Sequence, residues 1–207
     1  MPRPSQRLDA ALLASGRALY PDSGAAALSV RAVAEHAGVN PAMLHYHFRS
    51  KREFLRALLA QFYGSIYASL LHETDRGGPA VERLRAALGF IARALREHRR
   101  MILRVWIDAV GGEPIAREFL QANAPRHLGV LFALMHEAEA EGALRPVAPG
   151  QRAALVLGAV GLPLIFAAAL IDRGVAPEAL REAFEAQVAS DAAIDERIGL
   201  ALRALAP

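Results

Sequence analysis

Cysteine is absent from the 207-residue chain. That excludes a disulfide scaffold and every thiolate-based metal or nucleophile site, and it agrees with a reducing compartment. Runs of β-branched residues are scarce, and no internal repeat or low-complexity tract stands out. The opening stretch, Met1-Pro2-Arg3-Pro4-Ser5-Gln6-Arg7, does not lead into the apolar core of a signal peptide, so a cytoplasmic location is expected. No HExxH, GxSxG, phosphate-binding loop or dinucleotide fingerprint occurs. Of the histidines, His45 and His47 lie two apart on a helix and do not face each other, which makes a poor metal pair. Glu137, Glu139 and Glu141 are spread around a helix as a solvated face. Neither catalysis nor a metal or cofactor is expected.

What the chain has in quantity is alanine, leucine and arginine, which favour helix, at a length sufficient to bury a substantial core. Its helix start and stop signals crowd together between Leu28 and Lys51. Ser29 reads as an N-cap, and Val30, Val33, Ala34 and Ala37 recur at helical spacing, leaving Arg31, Glu35 and His36 outside. Gly38 ends that helix, because a glycine adopts positive φ without a Cβ clash. Asn40 then offers a second N-cap with Pro41 at the first helical position, opening a helix of two turns to about His47. Ser50 with Glu53 reads as a capping box that starts a third helix.

Two helices joined through a tight glycine turn form either an ordinary helical corner or a helix-turn-helix, whose second helix lies in the DNA major groove. The exposed chemistry favours the second. Tyr46 and His47 can hydrogen-bond phosphate oxygens, and Lys51 adds a cation at a helix N-terminus, where the dipole also favours an anion. Ala34, Ala37-Gly38-Val39, Leu44-His45-Tyr46-His47-Phe48 and Ser50-Lys51 together resemble the signature of the tetracycline-repressor-like (TetR) family of bacterial transcriptional regulators. The resemblance covers about the first quarter of the chain. It implies that Arg31, Pro41, Ala42 and His45 meet base edges, and that Ser29, Met43, Tyr46, His47 and Lys51 meet the phosphate backbone. Two positions depart from the family pattern. His45 stands where tyrosine is common, and Met43 stands where a hydroxyl is common and has no side-chain donor for phosphate.

Charge follows the same division. Residues 1–56 hold eight Arg and Lys against four acids, a surplus of +4, which leaves 16 of the 24 basic and 17 of the 21 acidic residues for the remainder. The cationic excess sits with the helix-turn-helix, as phosphate neutralisation requires, although solvated charge alone produces a surplus of that size. The basic N-terminal arm is placed either to track phosphate or reach a minor groove, or to fray.

The first helix is expected over Pro4 to about Tyr20, with Leu8, Ala11, Leu12, Ser15, Ala18 and Leu19 on the inner face, and is broken by Pro21-Asp22-Ser23-Gly24. A connecting helix from Ser50 to about His72 carries Phe54, Leu55, Leu58, Leu59, Phe62, Ile66 and Leu70, and Arg76-Gly77-Gly78-Pro79 closes it. The expected fold is all-α: a DNA-binding domain over 1–52, and a larger effector-binding and dimerisation domain over 53–207. Amphipathic helices are expected over Val81–His98, Met101–Val110, Ile115–Asn123 and Pro125–Glu141.

Ala153–Ile171 is nineteen residues without a charge, long enough to span a membrane. A buried helix is preferred, because Gly158, Gly161 and Pro163 permit close helix approach and a second subunit could cover one side. Helix restarts at Pro177, with a break near Ser190. By the resemblance, two late helices from each subunit form a four-helix interface, so a homodimer on a palindromic operator in double-stranded DNA is implied, with no membrane. Phe62, Phe90, Met101, Trp106, Phe119, Phe132 and Phe166 line either a core or an apolar pocket for a small-molecule effector, with Asp108, Asn123 and His127 as polar anchors. The function implied is a repressor released by its effector. The rival is an interaction module that keeps the helix-turn-helix but no longer binds DNA specifically.

Overall fold

The computed structural model describes residues 4–75 and 77–207; the first three residues of the basic arm, and Arg76, lie outside the described residues. Among the described residues every regular element is helical. The opening elements are α1 (Pro4–Ala27), α2 (Val30–His36), α3 (Pro41–Phe48) and α4 (Lys51–Thr74). They are followed by α5 (Ala80–Glu97), α6 (Arg99–Val110) and α7 (Pro114–Ala140). The chain ends in α8 (Pro149–Leu162), α9 (Ala168–Asp172), α10 (Glu178–Phe184) and α11 (Asp191–Arg203). Two compact units result, one of residues up to Ser65 with Leu103–Asn123, the other of Ile66–Ile102 with Ala124–Pro207. A division after Arg52 falls inside α4, and the compact units divide the chain elsewhere.

In the first unit, α1 does not stop at Pro21. The helix runs through it and is interrupted at Gly24, whose φ of 68° and ψ of 177° take the backbone out of the helical region. The inner face of α1 is also rotated from expectation. Leu12, Leu13, Ser15 and Tyr20 are buried, whereas Ala11 and Ala18 are exposed. Gly16 explains the rotation: a Cβ there would lie 2.4 Å from a methyl of Leu58 and 2.5 Å from the Phe54 ring, so α1 and α4 approach at a spacing only glycine allows.

The kink after α1 is clamped from α6. Asp108, 7 % exposed, accepts a hydrogen bond from the Tyr20 hydroxyl at 2.8 Å and another from the Ala25 backbone N–H at 2.7 Å. Its second oxygen accepts from Arg104 Nε at 2.8 Å. Burial and the neighbouring Asp108 carboxylate push the Tyr20 phenol well above its ordinary range, so Tyr20 remains a donor. The Arg104 guanidinium fills the space that a Gly24 side chain would need. The single turn that begins at Ala25 is thus capped by an acid more than eighty residues away in sequence.

The second unit is built around Leu84, Leu88, Leu131, Leu134, Val156, Leu164, Ile194 and Ile198. One proline behaves differently from expectation here. Pro125 lies inside a continuous α7 rather than between two helices. Pro163 opens a π-helical turn, Pro163–Ala167, so the apolar run continues as one path from α8 into α9. A proline removes one backbone donor, and the wider π turn lets the helix absorb that loss without ending. A second π turn, Glu185–Ala189, ends at Ser190, whose hydroxyl accepts from Ala193 N–H and caps α11.

Lys51–Thr74 and the continuous Pro149–Asp172 are long and apolar enough to cross a membrane by length and composition, yet only 33 % of the most apolar window of the second is buried. It is therefore not covered on both sides within the chain. Leu155, Leu162, Phe166 and Leu170 form an exposed stripe along it.

Asp108→Ala would orphan the Tyr20 hydroxyl and the Ala25 amide together. Urea denaturation should show a loss of about 2–4 kcal/mol, whereas Arg31→Ala, which removes only an exposed i,i+4 pair, should leave the midpoint nearly unchanged.

Candidate nucleic-acid interface

The interface is built from α2, α3 and the first turn of α4. The Ser29 hydroxyl accepts from Ala32 N–H at 3.0 Å and caps α2. Gly38, at φ 68°, makes the turn, and Val39 N–H donates back to the Ala34 carbonyl at 2.9 Å. Asn40 then caps α3, its side-chain oxygen accepting from Ala42 N–H at 2.9 Å, with Pro41 at the first helical position. Ser50 accepts from Glu53 N–H at 3.2 Å and caps α4. Each cap falls on the residue its chemistry selects.

Within α3 only Leu44 is buried. Pro41, Ala42, His45 and Tyr46 are exposed, Tyr46 to 79 %, so four candidate contacts share a solvent-facing surface. Such an exposed aromatic has no role in the core and offers a hydroxyl to a polar partner. Arg31 is also outward, its side chain 82 % exposed, and pairs with Glu35 at 2.7 Å. An exposed helical pair of this kind is weak, so it yields readily to a base or phosphate acceptor.

Three candidates sit differently from the sequence reading. Met43 is half-buried. Lys51 Nζ donates to the Ala26 carbonyl at 2.7 Å, which ties α4 to the end of α1 while two of its three donor hydrogens remain. His47 is not an open surface group. Its side chain is 7 % exposed and its Nδ1 faces the Asp9 carboxylate of α1. One feature has no sequence signal: Arg49, between α3 and α4, has φ 51°, in the left-handed region that glycine favours.

The residues considered for an effector pocket are not gathered as expected. Trp106, Phe132 and Phe166 are exposed rather than facing an enclosed space. Asp108 is spent on the α1 kink and offers no free anchor. Asn123 donates to the Phe119 carbonyl at 2.9 Å, and the Phe119 ring packs edge-on to Tyr63 at 5.8 Å. Phe62 and Met101 are buried, and Phe90 and His127 half-buried. Phe62, Trp106, Asp108, Phe119 and Asn123 belong to the first unit, and Phe90, Met101, His127, Phe132 and Phe166 to the second. A cleft of about 320 Å³ lies in the first unit, among Ala25, Lys51, Arg52, Leu55, Glu113 and Ile115, and none of the ten lines it.

A capped helix pair with the second member turned outward, on an all-helical chain, defines a helix-turn-helix DNA-binding protein. Residues 12–58 match the family model of bacterial regulatory proteins, tetR family. The match spans α2, α3 and the first turns of α4, so the helix-turn-helix segment is similar to that of this family. The chain is 29 % identical over 166 residues to an HTH-type transcriptional repressor of Mycobacterium tuberculosis, covering 74 % of this chain and 80 % of the relative. Its fold is that of the transcriptional regulator FadR from Bacillus subtilis, solved in complex with stearoyl-CoA, with a TM-score of 0.70 at 12 % identity over 93 % of this chain and 97 % of that one. It is also similar to AibR, solved in complex with isovaleryl coenzyme A and operator DNA, with a TM-score of 0.63 at 23 % identity over 76 % and 85 % of the two chains.

Leu44→Ala should lower stability by about 2–5 kcal/mol in thermal or urea melts, and Tyr46→Ala should stay within about 0.5 kcal/mol of the parent.

Proposed function

We propose that the chain is a homodimeric repressor that grips a palindromic operator with two copies of α3 and releases it when a small-molecule effector binds. The observation that carries this reading is the outward face of α3: Pro41, Ala42, His45 and Tyr46 are exposed, while Leu44 is turned inward. Pro41, Ala42, His45 and Arg31 meet base edges. Ser29, Met43, Tyr46, His47 and Lys51 meet phosphates. The working division is DNA binding over residues 1–52, and dimerisation with effector binding over 53–207. Such a regulator acts beside the chromosome, in the cytoplasm.

Dimerisation is supported by the stripe Leu155, Leu162, Phe166 and Leu170, a contiguous apolar surface that water opposes leaving bare. Two recognition helices related by a two-fold axis then read half-sites roughly 34 to 36 Å apart, or a multiple of that. For the effector, the ligands named for FadR and AibR make coenzyme A thioesters the first class to test. Release needs only differential affinity: a coupling of about 1–3 kcal/mol changes DNA binding roughly 5- to 150-fold, and DNA must weaken effector binding equally.

Fluorescence anisotropy with labelled duplex from beside the gene tests the reading. A dimer making six to ten phosphate contacts should lose roughly 10³- to 10⁵-fold in affinity between about 50 and 200 mM salt, and competition should show sequence preference. Equal, weak binding to any duplex favours an interaction module instead. Leu162→Glu with Phe166→Glu should give a monomer by sedimentation and weaken specific binding; a dimer that persists argues against the stripe as the interface.

A further inference from the structure

On α1, outside the helix-turn-helix itself, Asp9 directs its carboxylate at the recognition helix. Asp9 Oδ1 faces His47 Nδ1 at ion-pair distance. The same oxygen is shut off from solvent, and among the described residues it has no hydrogen-bond partner elsewhere. The rest of the Asp9 side chain remains in water, with 42 % of its surface exposed, while only 7 % of the His47 side chain is. A carboxylate oxygen removed from water needs a donor, and the imidazole is the donor that the described residues offer. The hydrogen must therefore be on His47 Nδ1.

That placement has a chemical consequence. A neutral imidazole carries one hydrogen, so with Nδ1 committed to Asp9 the Nε2 atom presents a lone pair. A phosphate oxygen is likewise an acceptor. His47 can meet a phosphate only as the imidazolium, with both nitrogens donating.

We propose that Asp9 is a positioning residue for DNA binding, which fixes the proton on His47 Nδ1 and so makes the His47–phosphate contact a proton-coupled one. The inference rests on the reading of α3 as the DNA-facing helix. Imidazoles titrate between about pH 5 and 8, and a contact that demands the charged ring draws a proton in with the DNA. By reciprocity, protons then tighten the complex. On the neighbouring elements, Arg31 of α2 pairs with Glu35, and Lys51 of α4 donates to the Ala26 carbonyl. The Tyr46 ring packs edge-on to His47 at 5.2 Å and supplies no charge. His36 and His45 are exposed, and their contribution is common to every variant, so the difference between profiles is the readout.

The experiment measures anisotropy of the full chain with a labelled duplex from beside its gene, at fixed salt, from pH 8 to pH 6. Asp9→Asn and His47→Asn are compared with the parent. The asparagine at 47 keeps a donor toward Asp9 but cannot titrate, which separates folding from proton uptake, and far-UV melts check both variants. The parent should gain affinity as pH falls, approaching about tenfold per pH unit for each proton taken up, and both variants should lose that excess. Duplex binding by all three proteins with one shared pH profile overturns the inference alone. Absence of duplex binding at every pH overturns the DNA reading and the inference with it.

Discussion

A helix of two turns cannot hold itself together in water, and α3 is one. Isolated helices shorter than about 12–15 residues are marginal even with good propensity, because few backbone bonds repay the cost of the first turn. α3 spans Pro41–Phe48, and Leu44 is its one wholly buried residue. It persists because Asn40 caps its first turn, Pro41 sets its opening dihedral and Leu44 holds it to the rest of the unit. Any further burial would remove residues from the outward face. Function and stability therefore compete for the same eight residues, and the surrounding unit supplies what α3 lacks.

That support comes from distant places in the sequence. Asp108 caps the turn at Ala25 that leads into α2, and Arg104 fills the space over Gly24. Lys51 ties the start of α4 to the Ala26 carbonyl, and Asp9 reaches His47 from α1. Glu118 of α7 bridges Arg52 and Arg56 at 2.7 Å each, though exposed pairs like these add little. The Asp108 and Lys51 ties meet the chain at the Gly24 kink and the end of α1, where backbone groups would otherwise lack partners.

Local signals were legible and long-range ones were not. Ser29, Gly38, Asn40 and Ser50 each act within four residues of their own position, so the chain itself shows them. Prolines misled, because Pro21 and Pro125 sit in helices that continue past them. A proline's cost of about 3 kcal/mol is a local quantity that packing can outweigh. The α1 stripe was shifted because Gly16, which has no hydropathy of its own to signal burial, decides how closely α4 can approach. Asp108 looked like a pocket anchor, since an acid among apolar residues carries no mark of the partner it will meet. The α8–α9 stripe was correctly marked as apolar all round; its uncovered half shows only in the fold.

Because the chain has no cysteine, a single introduced thiol is unique, and this gives the most direct test of α3 in the groove. An iron chelate attached to Ala42→Cys cleaves DNA only where it is held against the duplex. If α3 is the reading helix, cleavage of duplex from beside the gene should fall in two symmetric clusters, with centres about one helical turn or a multiple of it apart. Cleavage spread evenly along the duplex, or stronger from the same chelate placed on the exposed Ala186→Cys, would contradict it.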